Sequence, residues 1–253
     1  MFEYMGSHLY LGDSTDKGLF VEPFIDITIT SPPYNLNISY ENYDDDRSYK
    51  DYLDFCAAWM KNVFEWSKPN ARFCLNVPLD THLGGSRFLC GALTQVALDT
   101  GWKYKISITW NKNTVTSRTA WGSWMSPSAP MIISPVEMIL VFYKQNWKRE
   151  DVNNMGTDLH KDEFIAWTNG LWVFGPESAK RVGHPVPFPI ELPHRLIKMF
   201  SWKGDTVFDP FTGSGTTFIA AHNLSRKFVG VELSQKYFDL AVQRISKEAH
   251  SLF

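Results

Sequence analysis

Two short segments carry the side chains best suited to chemistry. The first is Ser31-Pro32-Pro33-Tyr34, which ends the β-branched run from Phe24 to Thr30. A hydroxyl, main-chain carbonyls and an aromatic ring on a proline-stiffened loop form a fixed set of hydrogen-bond acceptors beside a flat surface. Such a set suits an amine whose lone pair is delocalised into a ring. Acceptors that hold the amine hydrogens favour a pyramidal nitrogen, and a stacking face fixes the ring in line with the bond to be broken. The Ser31 hydroxyl and the Pro32 carbonyl are the candidate acceptors. Tyr34 is the candidate stacking face for a base drawn out of its helix. Pro32 and Pro33 lower the entropy cost of holding the loop in place.

The second segment, Asp209-Pro210-Phe211-Thr212-Gly213-Ser214-Gly215-Thr216-Thr217, lies between a predicted strand and a predicted helix, the context in which a glycine turn binds ligands. Glycines permit a sharp turn and a close approach of backbone to ligand. Glu232 ends the next predicted strand, placed to accept hydrogen bonds from ribose hydroxyls. A nucleoside cofactor is the expectation. The turn lacks the lysine of a phosphate-binding loop, and too few residues follow Glu232 in this sequence for a second nucleotide-binding half. A single nucleoside with a short charged tail fits better, and S-adenosyl-L-methionine is such a molecule.

These loops need a scaffold. The pattern predicts strands over 7–12, 24–30, 71–77, 103–110, 136–143, 206–209 and 227–233, and helices over 48–66, 84–100, 193–200, 213–221 and 235–249. The alternation over the last seventy residues implies a parallel, doubly wound sheet. If the strands ending at Thr30 and Asp209 are neighbours, both loops open onto one crevice. Residues 111–135 and 145–183 show little periodicity and are expected to be irregular.

Hydrophobic residues at 44% and charged residues at 21% are ordinary for a globular enzyme and exclude disorder. The net charge of −2 gives no general attraction for phosphates. From Trp102 to Arg149, however, seven basic residues face the single acid Glu137, a local balance of +6 that suits one DNA-facing surface. Lys112, Arg118, Trp121 and Trp124 in that stretch are candidate DNA contacts. For Glu137, at the start of an apolar strand, a structural Lys or Arg partner is expected. Asp44 to Asp46 read as a solvated acidic loop. Cys56, Cys74 and Cys90 have neither disulfide nor zinc spacing and are expected to be reduced and buried, and no metal is expected. No apolar run is long enough to span a membrane and no signal pattern opens the chain, so a cytoplasmic protein is the expectation.

With these motifs in this order, the chain resembles the amino-methyltransferases of restriction-modification systems, and most closely the beta-type subgroup, in which the catalytic motif precedes the cofactor motif. Thr30-Ser31-Pro32-Pro33-Tyr34 matches the catalytic motif, Asp209 to Thr217 the methionine-binding motif, and Val231-Glu232-Leu233 the ribose-binding strand. The stretch from His184 to Arg195 resembles the segment before the glycine motif, with Phe188 and Pro189 near the cofactor. Gly12-Asp13-Ser14 resembles the acidic turn on the adenine side.

The resemblance implies a single domain over 1–253 with a Rossmann-like, circularly permuted methyltransferase fold and a mixed, mainly parallel sheet. It places target-recognition segments at 111–135 and 145–183. It also implies S-adenosyl-L-methionine as cofactor, bound by Asp13, Phe188, Pro189, Asp209, Phe211, Gly213, Gly215, Thr216 and Glu232, with double-stranded DNA as substrate. A cognate restriction endonuclease and a homodimer are partners it allows. Ser31 in the first motif position is similar to cytosine-N4 enzymes, whereas adenine-N6 relatives usually carry Asp there. Adenine N6 is the alternative target, and a catalytically inactive DNA-binding regulator the alternative class.

Overall fold

A computed structural model describes residues 1–36, 45–81, 87–112, 122–132, 134–151, 154–177 and 188–250. The strands are β1 (Phe2–Tyr4), β2 (Ser7–Leu11), β3 (Ile25–Thr30), β4 (Ser67–Pro78), β5 (Lys103–Asn111), β6 (Val136–Tyr143), β7 (Leu171–Val173), β8 (Thr206–Asp209) and β9 (Lys227–Glu232). The helices are α1 (Tyr49–Trp66), α2 (Leu89–Asp99), α3 (Lys161–Trp167), α4 (Glu191–Phe200), α5 (Thr216–Asn223) and α6 (Gln235–His250).

All nine described strands join one sheet in the order β1-β2-β9-β8-β3-β4-β6-β5-β7. From β2 to β4 every pairing is parallel. β6 runs antiparallel between β4 and β5, and β1 runs antiparallel to β2. The sheet is therefore mixed and mainly parallel, as expected. β3 is buried at all six positions because helices cover both faces of the sheet there, which is why its sequence is a continuous β-branched run rather than an alternation.

Alternate residues feed two cores. Ile27, Ile29, Cys74 and Val141 pack with α4 and α5 residues on one face. Phe73, Leu75 and Phe142 pack with α1 and α2 on the other. Helix α1 starts where the Ser48 hydroxyl accepts from the Asp51 N–H at 3.2 Å. Tyr52, Phe55, Trp59 and Val63 recur at helical spacing; Phe55 is half-buried, whereas Tyr52, Trp59 and Val63 are fully buried together with Cys56. Each such large apolar side chain contributes roughly 1.5–3 kcal/mol. The three cysteines are buried thiols, as expected.

The structure departs from the sequence reading in several places, among them the unexpected edge strand β1 and the start of β4 at Ser67. The stretch 145–183 is irregular over most of its described residues but holds two short elements the pattern did not show: α3, and β7, which extends the sheet by pairing with β5, Thr109 opposite Leu171. Buried Trp167 and Trp172 tie the two elements together, the Trp172 indole donating to the Trp167 carbonyl at 3.0 Å. Strand β5 is half-buried only at its end, since β7 pairs with Thr109 to Asn111 alone and leaves Tyr104 and Ile106 exposed. The helix expected from residue 84 is observed from Leu89, with Arg87 and Phe88 outside it and residues 84–86 outside the described residues. Asp45 is not solvated but 3% exposed. Among the described residues no helix is long and apolar enough to cross a membrane.

Candidate active site

Strands β3 and β8 are neighbours, with Ile27 opposite Val207 and Thr28 opposite Phe208. Their carboxyl ends are fastened side by side. The Thr30 hydroxyl donates to Asp209 Oδ1 at 2.8 Å, the Thr217 hydroxyl to Oδ2 at 2.7 Å, and the Phe211 N–H to Oδ1 at 3.0 Å. Asp209 thus holds the proline loop and the glycine loop together. Burial lifts its carboxyl to about 6 against these three donors.

The loops open onto a cavity of about 410 Å³ lined by Ser31 and Pro33, by Pro210, Phe211 and Gly213, by the turn from Gly12 to Thr15, and by Glu232, Leu233, Ser234 and Tyr237. Gly213 and Gly215 have φ of +53° and +82°, a backbone region that excludes most side chains and lets the loop turn into α5. Glu232 is 8% exposed and its two oxygens accept from the N–H groups of Gly213 (2.7 Å) and Ser234 (2.9 Å). Burial raises its carboxyl above the usual range. Further lone pairs remain for a ligand. Asp13 closes its own turn by accepting from the N–H and hydroxyl of Thr15, each at 2.8 Å.

The proline loop is braced from behind. The Tyr52 hydroxyl donates to the Pro33 carbonyl at 3.1 Å. Asn35, at φ +57°, exchanges two hydrogen bonds with the Arg47 backbone through its side chain. The buried Asp45 carboxylate accepts from the N–H groups of Asn35 and Leu36, both at 2.9 Å. Pro32 is buried. Tyr34 is 7% exposed, with its ring in the core beside α1 and its hydroxyl 2.5 Å from Ser31 Oγ and 3.0 Å from the Asn76 carbonyl oxygen. In the structure it is a hydrogen-bond post rather than an open stacking face.

Of the residues singled out in the sequence, Asp13, Ser31, Pro33, Phe211, Gly213 and Glu232 share this cavity. Asp209 lies beneath it. Gly215 packs against Ala241 and Ile245 of α6, and the Thr216 hydroxyl faces Arg244, whose guanidinium also clamps the Ser214 carbonyl at 2.7 Å. Phe188 is half-buried and Pro189 buried at the entry to α4, outside the cavity lining. Lys112 pairs with Glu137, the structural cation expected for that acid. Trp124 is 68% exposed and away from the cavity. Arg118, Trp121 and the stretch from His184 to Pro187 lie outside the described residues, as does Asp44.

The sequence reading missed the contribution of α1. Asp51, Asp54, Phe55 and Ala58 line the cavity at i, i+3, i+4 and i+7, a second stripe beside the core-facing one and open to the same periodicity test. Arg47, stacked 4.9 Å over the Phe55 ring, is the one Lys or Arg among the described lining residues. Asp13, Asp51, Asp54 and Glu232 outnumber it. A cavity so lined suits a ligand with hydroxyls, a flat ring and an excess of positive charge, and disfavours a pyrophosphate.

The chain matches the DNA methylase family profile over residues 25–243. It is 46% identical over 158 residues to M.MjaVI, a type II methyltransferase of Methanocaldococcus jannaschii, across 62% of this chain and 80% of that protein. It superposes with a TM-score of 0.77 on TTHA0409 of Thermus thermophilus, assigned as a DNA modification methylase and solved with S-adenosyl-L-methionine, at 29% identity over 96% of this chain and 94% of that one. PvuII DNA methyltransferase, cytosine-N4-specific, gives a TM-score of 0.73 at 22% identity over 94% of this chain and 86% of that one, a likeness of fold. The Rossmann-like methyltransferase fold expected from the motif order is the fold observed.

Proposed function

Because this chain belongs to the DNA methylase family of N6 and N4 amino-methyltransferases, we propose that it methylates the exocyclic N4 amine of cytosine in double-stranded DNA, at a specific sequence and with S-adenosyl-L-methionine as donor. The observation that carries the reading is the Thr30–Asp209 hydrogen bond. It sets Ser31 and the glycine loop on one cavity. S-Adenosyl-L-methionine brings an electrophilic methyl group on a sulfonium. Its two positive centres and single carboxylate fit a lining of four acidic side chains and one arginine.

In this reading Glu232 holds the ribose hydroxyls, Asp13 faces the adenine, and Phe211 and Phe55 supply apolar walls. Ser31 Oγ and the Pro32 carbonyl accept the hydrogens of the target amine, and the nitrogen lone pair displaces the methyl carbon from sulfur. The proton lost from nitrogen passes to solvent. An amine inside a duplex cannot reach this cavity, so the target base is flipped out before reaction. The likeness to a type II methyltransferase supports a role beside a cognate restriction endonuclease in the cytoplasm.

The test is chemical. Unmethylated phage genomic DNA is incubated with the protein and tritiated S-adenosyl-L-methionine, digested to nucleosides and chromatographed. Label in N4-methyldeoxycytidine is expected; label in N6-methyldeoxyadenosine overturns the choice of target.

A further inference from the structure

Behind Ser31 lies a buried polar chain that the proposed reaction does not yet use. Asn76, 2% exposed on β4, donates from Nδ2 to Glu137 Oε2 at 2.5 Å and to the Tyr34 hydroxyl at 3.3 Å. Glu137, 7% exposed at the start of β6, is ion-paired with Lys112. The β4–β6 register sets Asn76 opposite Ile139 and Glu137 opposite Pro78, so the two side chains reach each other across the ladder.

The donors and acceptors fix the direction of each proton. A carboxylate beside a lysine only accepts, so the Asn76 nitrogen must face Glu137, and Asn76 Oδ1 is left buried with no hydrogen-bond partner. An orphaned buried acceptor is unfavourable, and packing alone gives no reason to keep one. The Tyr34 hydroxyl has one proton, and it donates to the Asn76 main-chain carbonyl, which can only accept. The Tyr34 oxygen therefore receives hydrogen bonds from Asn76 Nδ2 and from Ser31 Oγ. Ser31 has its only proton directed inward, and its lone pairs face the cavity.

We propose that Glu137 and Asn76 are positioning residues for methyl transfer: through Tyr34 they hold the Ser31 proton away from the cavity and make its hydroxyl an obligate acceptor for the target amine. This rests on the acceptor role given to Ser31 above. A hydroxyl free to rotate would spend part of its time presenting a donor to the amine, opposing the pyramidal nitrogen that transfer requires. The network acts on turnover and not on cofactor binding, because none of Tyr34, Asn76 and Glu137 lines the cavity.

A double-mutant cycle tests it, with Tyr34→Phe, Glu137→Gln and the double variant compared by steady-state kinetics on unmethylated phage DNA and by calorimetry with S-adenosyl-L-methionine. Each single variant is expected to lower kcat about tenfold, the scale of one neutral hydrogen bond, with cofactor affinity unchanged. In the Tyr34→Phe background, Glu137→Gln is expected to have no further effect. Loss of equal factor in both backgrounds, an unchanged kcat, or a loss confined to cofactor affinity overturns the proposal. Near-UV circular dichroism checks packing, and if Glu137→Gln unfolds, Asn76→Ser replaces it in the cycle. Ser31→Ala separates the two readings: full activity in that variant refutes the acceptor role itself, whereas loss there with an additive cycle refutes the network alone.

Discussion

At the amino ends of β3 and β8, Asp26 and Asp205 meet cations; at the carboxyl ends of the same strands and of β9, Asp209 and Glu232 meet hydroxyls and main-chain N–H groups. Asp26 pairs with Lys68 at 2.7 Å and with Arg149 at 3.2 Å, and Arg149 also holds Asp205 at 2.9 Å. Asp209 and Glu232 have no cation partner among the described residues. Burial raises the carboxyls of Asp205, Asp209 and Glu232 alike; at Asp205 the Arg149 guanidinium opposes the shift, whereas at Asp209 and Glu232 only neutral donors do. One end of the sheet is electrostatically closed and serves the fold. The other is left acid-rich beside an open cavity and suits a cationic ligand, which is the division expected when ligands bind at the carboxyl ends of parallel strands.

The sharpest way to break this comparison is Arg149→Ala. It strips two buried carboxyls of their shared cation, and such a loss costs about 3–5 kcal/mol. Urea unfolding is expected to show that drop, while kcat and cofactor affinity of the folded fraction stay at wild-type values. A fall in turnover without a fall in stability would mean that the closed end serves the chemistry.

Next in size is Asp209→Asn. Folding favours the neutral form of Asp209, because its carboxyl is lifted from the ordinary 3.8 to about 6. The associated stabilisation is complete below the unfolded value and is lost as pH rises through about 6, a change of about 3 kcal/mol. Asparagine has no such titration. Between pH 4 and pH 8 the unfolding free energy of the variant is therefore expected to gain about 2.5 kcal/mol on that of the wild type, since pH 4 already lies just above the unfolded value. A difference between the two that does not vary with pH would show that the Thr30, Thr217 and Phe211 donors already offset the burial.

How much of this was legible in the sequence follows from the range of the interactions. The two loops and Glu232 were readable because each is a dense local pattern: prolines that stop a ladder, or glycines where φ is positive. The core face of α1 was readable from its period, and its cavity face, Asp51 to Ala58, was present in the same period but not drawn out. The network of Asn76 and Glu137 was not readable, since residues 61 positions apart meet only through the order of β4 and β6 in the sheet. Glu137 was given its structural cation, and Lys112 proved to supply it. Helix α3 and strand β7 escaped because seven and three residues are too short for any period, and Phe164 and Ile165 on α3 are exposed. Asp45 looked solvated because nothing local announces that Asn35 and Leu36 will point their N–H groups at it.

The smallest effect is expected at Glu232, and it probes the open end directly. Glu232→Ala removes the acceptor for the Gly213 and Ser234 N–H groups and the proposed acceptor for the ribose hydroxyls. A hydrogen bond to a charged group contributes about 1.5–3 kcal/mol, so cofactor affinity by calorimetry should weaken roughly 10- to 100-fold. The main-chain donors turned toward the vacated space can recruit water, which limits the loss of stability. The signature is thus opposite to that of Arg149→Ala: ligand affinity falls and the urea midpoint of the unliganded protein moves little. If Glu232→Ala instead unfolds the protein as strongly as Arg149→Ala does and leaves the affinity of the folded fraction intact, then Glu232 is a brace for the glycine loop. The acid-rich cavity would in that case owe its ligand selectivity to Asp13, Asp51 and Asp54.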